Sequence, residues 1–264
     1  LWFNTLLPSM LPFMILSGLF MKAGFAEKLL AITKGFWKSV FHLTPMGGYG
    51  LLIGIFCGYP MGAKTAADLY QDHRISRQEA CYLLTFSNHP GPAFLSSYLC
   101  VELLHREWLI LPAYGILYLS SFFTSLLFRR CYSFDENSLP EFKRKEASAA
   151  FSWGEALDAS IMNSFLSITK LGGYIILFSL IQGILQLLPG LPADLKCLLL
   201  GFTEITTGTM AIAQRNWNLS VSFPLLLALT ASGGLCIAFQ SKSMLAETDL
   251  PLSPYLKGKS CSSL

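Results

Sequence analysis

Long apolar stretches alternate with short polar ones along almost the whole chain. Residues 2–21 and 108–128 contain no charged residue. Each therefore predicts a helix that crosses a membrane, which takes roughly 20 apolar residues. Glycine, proline or polar residues interrupt the other apolar runs, which cover residues 46–63, 81–104, 197–214 and 219–245. The pattern predicts an all-α polytopic membrane protein with broken or re-entrant helices as well as complete spans.

The first broken run is the most informative segment of the chain. Residues 53–64 read Ile-Gly-Ile-Phe-Cys-Gly-Tyr-Pro-Met-Gly-Ala-Lys, so helix-breaking residues occupy the middle and a lysine ends the run. A short, Gly/Pro-interrupted apolar segment indicates a substrate site in a transporter, above all when a counterpart lies in the other half. Residues 201–210 are the candidate counterpart. Both a re-entrant hairpin and an unwound crossing helix fit this pattern.

The two halves of the chain have the same order of segments, which predicts an internal repeat. Residues 46–104 form the first copy and residues 197–245 the second, within one membrane domain over residues 1–264. Three runs lie between the two broken segments if each counts as one crossing, namely residues 81–104, 108–128 and 171–188. An odd number of crossings turns the second copy upside down. Two inverted repeats around a central site are typical of secondary transporters.

The polar segments indicate which side of the membrane they occupy. Residues 129–160 are rich in Lys and Arg, so we predict a cytoplasmic connector between the repeats. The residues from 247 onward are interpreted as a polar tail.

Composition supports membrane integration and excludes several functions. Of the 264 residues, 53% are hydrophobic and only 13% are charged, against about 25% charged in soluble domains. The short, mixed basic runs do not indicate nucleic-acid binding. The seven cysteines form no CxxC pair, so we interpret them as buried thiols, with no metal site. We find no hydrolase, metalloprotease or phosphate-loop motif, so we predict no enzyme, no catalytic residue and no cofactor.

Two charged residues of the broken segments are the first candidates for solute binding. A charge inside a membrane costs at least about 2.5–3.5 kcal/mol, so it must face protein, water or a ligand. Lys64 either binds an anionic solute or reaches the interface beside Asp68. Glu204 either couples transport to H⁺ or Na⁺, contacts a polar solute, or pairs with Lys64 or Lys170.

The remaining candidates stand at or near interruptions of the apolar runs. Unwound backbone exposes amide and carbonyl groups, and helix N-termini favour anions. Tyr59 either stacks on a ring of the solute or belongs to an aromatic belt at the interface. Ser232 and Gly233 either face the solute or serve helix packing. The full set of these additional candidates is Tyr59, Asn88, His89, Gly91, Thr206, Thr207, Ser232, Gly233 and Gln240.

Motifs across nearly the whole chain resemble those of bacterial sporulation integral membrane proteins that carry nucleoside-recognition (Gate) domains. Cys-Gly-Tyr-Pro-Met-Gly-Ala-Lys at residues 57–64 is the most specific of these motifs. The others are residues 7–13, Asn88 with residues 91–94, residues 201–206 and residues 232–235. One departure is His89, where the family has a small polar residue.

The resemblance implies a role in endospore formation. A member of that family is linked to movement of dipicolinic acid from the mother cell across the outer forespore membrane, which would be the location of this protein too. The Gate domain is similar to the core of concentrative nucleoside transporters, which have inverted repeats and re-entrant hairpins. Because those transporters are trimeric, the similarity also implies a homo-oligomer in the lipid bilayer.

Three functions remain open from the sequence. Dipicolinate is a planar ring with two carboxylates, which helix N-termini, Lys64 and Asn88 could bind. A nucleoside or another small solute would instead use neutral groups such as Asn88, Thr206 and Gln240, together with Glu204. A structural or partner-binding sporulation protein would use the connector as a docking arm.

Overall fold

The computed structural model describes residues 7–132, 152–215 and 217–263. These residues form 13 α-helices and no strand, which confirms the all-α prediction. The helices are α1 (Leu7–Lys22), α2 (Phe25–Ala31), α3 (Lys34–Phe36), α4 (Pro45–Cys57), α5 (Met61–Gln71), α6 (Arg77–Phe86), α7 (Ile110–Phe128), α8 (Trp153–Leu187), α9 (Ala193–Thr203), α10 (Ile205–Ala213), α11 (Leu219–Ser232), α12 (Gly234–Met244) and α13 (Ser253–Ser262). Two π-helical segments, Trp37–Phe41 and Phe94–Leu103, and one 3-10 turn, Glu107–Leu109, complete them.

Several helices carry the apolar surface that a bilayer requires. Glu107–Phe128, Trp153–Leu187 and Leu219–Met244 are long and apolar enough to cross a membrane. Large apolar side chains on two of them point outward, for example Leu111 and Leu187, which are 81% and 83% exposed. In water such a surface would be unfavourable, whereas lipid tails solvate it. The fold is therefore that of an α-helical membrane protein.

The first broken segment is a helical hairpin. Helix α4 ends at Gly58, whose φ of 80° is a conformation that favours glycine, and α5 begins after Pro60. The two helices lie side by side, since a Cβ on Gly54 would be 3.2 Å from the Cα of Gly62. The 13 residues of α4 are about 20 Å long, short of the roughly 30 Å hydrocarbon core. The first broken segment is therefore a hairpin of two short helices rather than one unwound helix.

The second broken segment has the same form. Helices α9 and α10 are separated only by Glu204, whose backbone is extended. Gly208 faces Gly201 so closely that a Cβ on Gly208 would overlap the Gly201 backbone. Each hairpin is thus closed by a pair of glycines that lets two helices touch.

In each half, the hairpin packs against a second interruption that follows it in sequence. The tip at Gly58 lies against Gly91, in the break between α6 and the π-helical segment Phe94–Leu103. The second hairpin lies against Gly234, which begins α12, because a Cβ there would be 2.8 Å from the carbonyl oxygen of Phe202. Each half therefore has a hairpin that packs against the break following it.

Two predicted boundaries differ from the observed ones, and parts of two predicted segments are not described. The connector was predicted to extend to residue 160, but α8 begins at Trp153 because Ser152 caps it by accepting a bond from Glu155 N at 3.3 Å. Residues 133–151 of the connector and residues 2–6 of the first predicted span lie outside the described residues.

The predicted polar tail also differs from the structure, because it contains a packed helix. Tyr255 and Gly258 of α13 are buried, and Gly258 lies directly against the carbonyl oxygen of Thr85 in α6. The buried aromatic ring explains why a segment with a polar composition docks onto the helices of the first half.

Candidate functional site

A cavity of about 480 Å³ opens where the broken segments of both halves meet. Its size lies within the roughly 300–1,000 Å³ range of small-molecule sites. Three aromatic rings, two carboxylates and a few neutral polar groups line it together with aliphatic side chains. The lining residues are Met10, Tyr59, Ala93, Phe94, Ser97, Tyr98, Glu102, Leu171, Ile175, Glu204, Ile205, Thr206, Ile237 and Gln240. Four of the candidates from sequence, Tyr59, Glu204, Thr206 and Gln240, thus meet at one site.

Glu204 is held at the tip of the second hairpin by its own helix. Its Oε1 accepts a bond from Thr206 N at 2.9 Å, and its Oε2 accepts one from Thr207 N at 3.0 Å. The carboxylate thereby caps α10 and complements the positive end of its dipole. The predicted alternative of an ion pair with Lys64 or Lys170 is wrong, since Lys64 lies 2.5 Å from Asp68 and Lys170 lies 3.8 Å from Glu247.

The backbone near Glu204 is fixed from two other helices. Gln182 Nε2 of α8 donates to the carbonyl oxygens of Leu200 and Glu204, at 3.1 and 3.2 Å. Tyr98 donates from its hydroxyl to the Thr206 carbonyl oxygen at 2.7 Å. Thr207 contributes its backbone N–H to the cap and is not among the lining residues. The result is a carboxylate at the cavity wall with a closely defined position.

Tyr59 connects the two halves. Its ring lines the cavity, and its hydroxyl donates to the carbonyl oxygen of Thr230 in α11 at 3.3 Å. The Tyr59 side chain therefore lies at the junction of the broken segments. Gln240 is buried on α12, where its Nε2 lies 3.3 Å from the Sγ of Cys236.

Lys64 does not reach this cavity. It points into a small polar crevice between α1, α5 and α8, where Asp68, Asn163 and Ser167 are its neighbours. Both side chains of the Lys64–Asp68 pair are largely buried, with 12% and 20% exposed. Of the two interpretations of Lys64, the structure thus shows the one in which Asp68 is the partner.

Asn88, His89 and Gly91 hold the break in the first half rather than lining the cavity. Asn88 Oδ1 accepts from Ala63 N at 3.2 Å, and its Nδ2 donates to Ser241 Oγ of α12 at 3.0 Å. His89 is buried, with Nδ1 3.2 Å from the hydroxyl of Ser121. The Asn88 side chain therefore ties the first hairpin, the first break and the second half together.

Ser232 and Gly233 serve the equivalent break in the second half. The Ser232 hydroxyl donates back to the carbonyl oxygen of Leu229 at 2.7 Å, within its own helix. Gly233 and Gly234 have φ angles of 76° and 70°, which lets the chain leave α11 and start α12 at once. Neither Ser232 nor Gly233 lines the cavity, so their role is to form the break between α11 and α12.

Sequence reasoning missed Lys259 on α13. Its ammonium donates to the carbonyl oxygens of Asn88 and Ala231, the latter at 2.8 Å. It also lies 5.4 Å from the centre of the Tyr59 ring. The one signal near residue 259 in the sequence is Gly258, which allows α13 to approach α6 closely enough to place the lysine at the breaks.

The charges at the cavity are unequal. Among the described residues, Glu102 and Glu204 are part of its lining, whereas no lysine or arginine is. The cation of Lys259 stands on the face of the Tyr59 ring, which itself lines the cavity. A fully ionised dianion would meet two carboxylates here, so its charge needs compensation from Lys259 and from protons or another cation.

Comparison with known proteins identifies a relative with a role in sporulation. The chain is 26% identical over 287 aligned positions to the sporulation integral membrane protein YlbJ of Bacillus subtilis (strain 168). The alignment covers 97% of this chain and 70% of that protein. No family model matches the chain, and no solved structure is significantly similar to it. The similarity supports a sporulation membrane protein, in agreement with the motifs and the apolar helices.

Proposed function

We propose that the protein is a transporter that moves a small aromatic metabolite across a membrane of a sporulating cell. The cavity at the meeting point of two hairpins and two broken helix pairs carries this proposal. A solute site at the junction of broken helices is how many secondary transporters expose a cargo first to one side and then to the other. Transport rather than catalysis also agrees with a lining that offers aromatic faces and hydrogen-bonding groups.

Dipicolinate is the cargo that we propose, with the outer forespore membrane as the location. The name of the similar protein supports the sporulation context, and the resemblance described above implies the cargo. The aromatic lining supports a planar ring, since Phe94, Tyr59 and Tyr98 offer stacking faces. Lys259 behind the Tyr59 ring supports an anion. Because Glu102 and Glu204 oppose a second negative charge, we propose that cargo moves with H⁺ or Na⁺.

Alternating access would follow from movement of the two halves. We propose that residues 46–104 and 197–245 are the Gate-like inverted repeats and that they shift against α1 and α7. Each hairpin packs against the following break through glycine, so a hairpin and its broken partner would move as a unit. A homo-oligomer in the bilayer belongs to the same proposal.

A nucleoside is the second candidate, and one observation favours it. The part of the lining that the structure describes contains neutral hydrogen-bonding groups, among them Ser97, Thr206 and Gln240, but no lysine or arginine. Such a set suits a neutral ring with hydroxyl groups, since neutral cargo needs no charge compensation. A purely structural role would place the function in the connector, of which residues 133–151 lie outside the described residues.

Binding to the purified protein separates these cargoes. We expect dipicolinate to raise the midpoint of thermal unfolding in a saturable manner, because a ligand bound only by the folded state stabilises that state. Uridine should neither raise it nor compete with dipicolinate. Benzoate, an aromatic ring with one carboxylate, is the matched control. Saturable stabilisation by uridine alone would favour a nucleoside as the cargo. No response to either compound would contradict both proposed cargoes.

A further inference from the structure

Lys259 is a partly buried lysine whose ammonium is surrounded by carbonyl oxygens and aromatic rings. Within the described residues its ammonium forms no ion pair, and its hydrogen-bond partners are the main-chain carbonyl oxygens of Asn88 and Ala231. The faces of Tyr59 and Tyr255 complete its surroundings, with ring centres at 5.4 and 5.9 Å. Carbonyl dipoles and aromatic faces thus supply the compensation that a buried charge requires.

The two carbonyls belong to equivalent places in the two halves. Asn88 follows the C-terminal end of α6, and Ala231 lies in the last turn of α11. Each of these helices is the first member of a broken pair. The C-terminal end of a helix carries a partial negative charge, and the effect is confined to its last turn. The Lys259 ammonium therefore lies between the last turn of α11 and the first residues after α6.

This environment has the composition of a monovalent cation site. Sodium and potassium ions take main-chain carbonyl oxygens as ligands where a helix is interrupted, because those oxygens lack partners within the helix. We propose that Lys259 is a resident cation, whose ammonium occupies a monovalent cation site formed by the breaks of both halves. The ammonium holds the two breaks together, and the protein consequently requires no sodium ion at this position.

The placement of α13 explains how the ammonium reaches the site. Gly258 packs against the Thr85 carbonyl oxygen without an intervening side chain, which brings the α13 backbone close to α6. The buried ring of Tyr255, one helical turn earlier, fixes the rotation of α13. Lys259 is thereby directed at the junction, whereas Lys257 on the same helix is exposed. This resident-cation proposal concerns the fold around the cavity and does not depend on which cargo the cavity takes.

Chemical rescue tests the resident cation. We expect Lys259→Ala to lower the melting temperature of the purified protein by roughly 5–10 °C, because two carbonyls lose charge-assisted hydrogen bonds. Methylammonium chloride or sodium chloride should restore about half of that loss in a saturable manner, since either cation can enter the vacated site. Choline chloride, whose cation is too large, sets the baseline. Lys257→Ala is the matched control and should melt like the wild type in all three salts.

Several results would overturn the proposal. One is a Lys259→Ala protein that melts like the wild type. Another is an equal response of the wild type, Lys257→Ala and Lys259→Ala to methylammonium. Should Lys259→Ala yield no folded protein, Lys259→Met keeps the apolar stem and takes its place. An equal rise of the wild-type and Lys259→Ala melting temperatures with sodium would also contradict the proposal, because a sodium ion coupled to transport would bind elsewhere in both proteins. None of these measurements uses a cargo, so a wrong cargo assignment leaves them unaffected.

Discussion

Replacing Glu204 with alanine is expected to reduce dipicolinate uptake roughly 10- to 100-fold. The change removes both bonds from the carboxylate to Thr206 N and Thr207 N. Hydrogen bonds to charged groups are worth about 1.5–3 kcal/mol each, and about 1.4 kcal/mol corresponds to a factor of ten. It also removes one of the two carboxylates that line the cavity. Uptake by proteoliposomes, normalised to the amount of reconstituted protein, measures the effect.

Glu204→Asp distinguishes the role of Glu204 as the N-cap of α10 from its role in the cavity. Aspartate is an equally good N-cap, so α10 should stay folded, but its shorter side chain withdraws the carboxylate from the cavity. We expect a normal melting temperature and reduced uptake. Asp194→Asn is the matched control in the same hairpin, because Asp194 is exposed and pairs with Arg215 at 2.5 Å. Normal uptake in both Glu204 variants would remove Glu204 from the transport mechanism.

Gly208→Val is expected to prevent the second hairpin from closing. A Cβ at residue 208 would overlap the Cα and N atoms of Gly201, and backbone atoms cannot move aside as a flexible side chain could. Overpacking in a tight contact costs about 1–3 kcal/mol and more where backbone must shift. We therefore expect little folded protein after extraction, as judged by size-exclusion chromatography and thermal unfolding.

Gly183→Ala provides the control for this substitution. Gly183 lies within α8, and an added Cβ would have no neighbour within 4 Å. Alanine is the better helix former by roughly 0.5–1 kcal/mol, so this variant should be at least as stable as the wild type. Equal yields of Gly208→Val and Gly183→Ala would show that α9 and α10 do not touch at Gly201 and Gly208.

Sequence reasoning located the broken segments because their signal is local. Gly58, Pro60 and Gly62 interrupt an apolar run, and Glu204 is a lone charge in another, so both positions are visible without any tertiary information. The choice between hairpin and crossing helix was not visible. It depends on the contact of Gly54 with Gly62, which has to be seen in three dimensions.

The positions of two lysines depend on tertiary contacts in the same way. Lys64 is next to the broken segment in sequence, but the helical turn places it beside Asp68, four residues later, and away from the cavity. Lys259 lies in a stretch of polar composition, and its partners come from residues far away in sequence, Asn88 and Ala231. Local patterns identify where helices break, whereas tertiary packing decides which charged side chain lies at the break.

Transport of dipicolinate can be measured as uptake of the radiolabelled compound by proteoliposomes that contain the purified wild-type protein. We expect time-dependent, saturable accumulation that excess unlabelled dipicolinate abolishes and that uridine leaves unchanged. We also expect a strong decrease with Glu204→Ala and no change with Asp194→Asn. Accumulation no greater than in protein-free liposomes, from protein that melts cooperatively, would contradict transport of dipicolinate through this cavity.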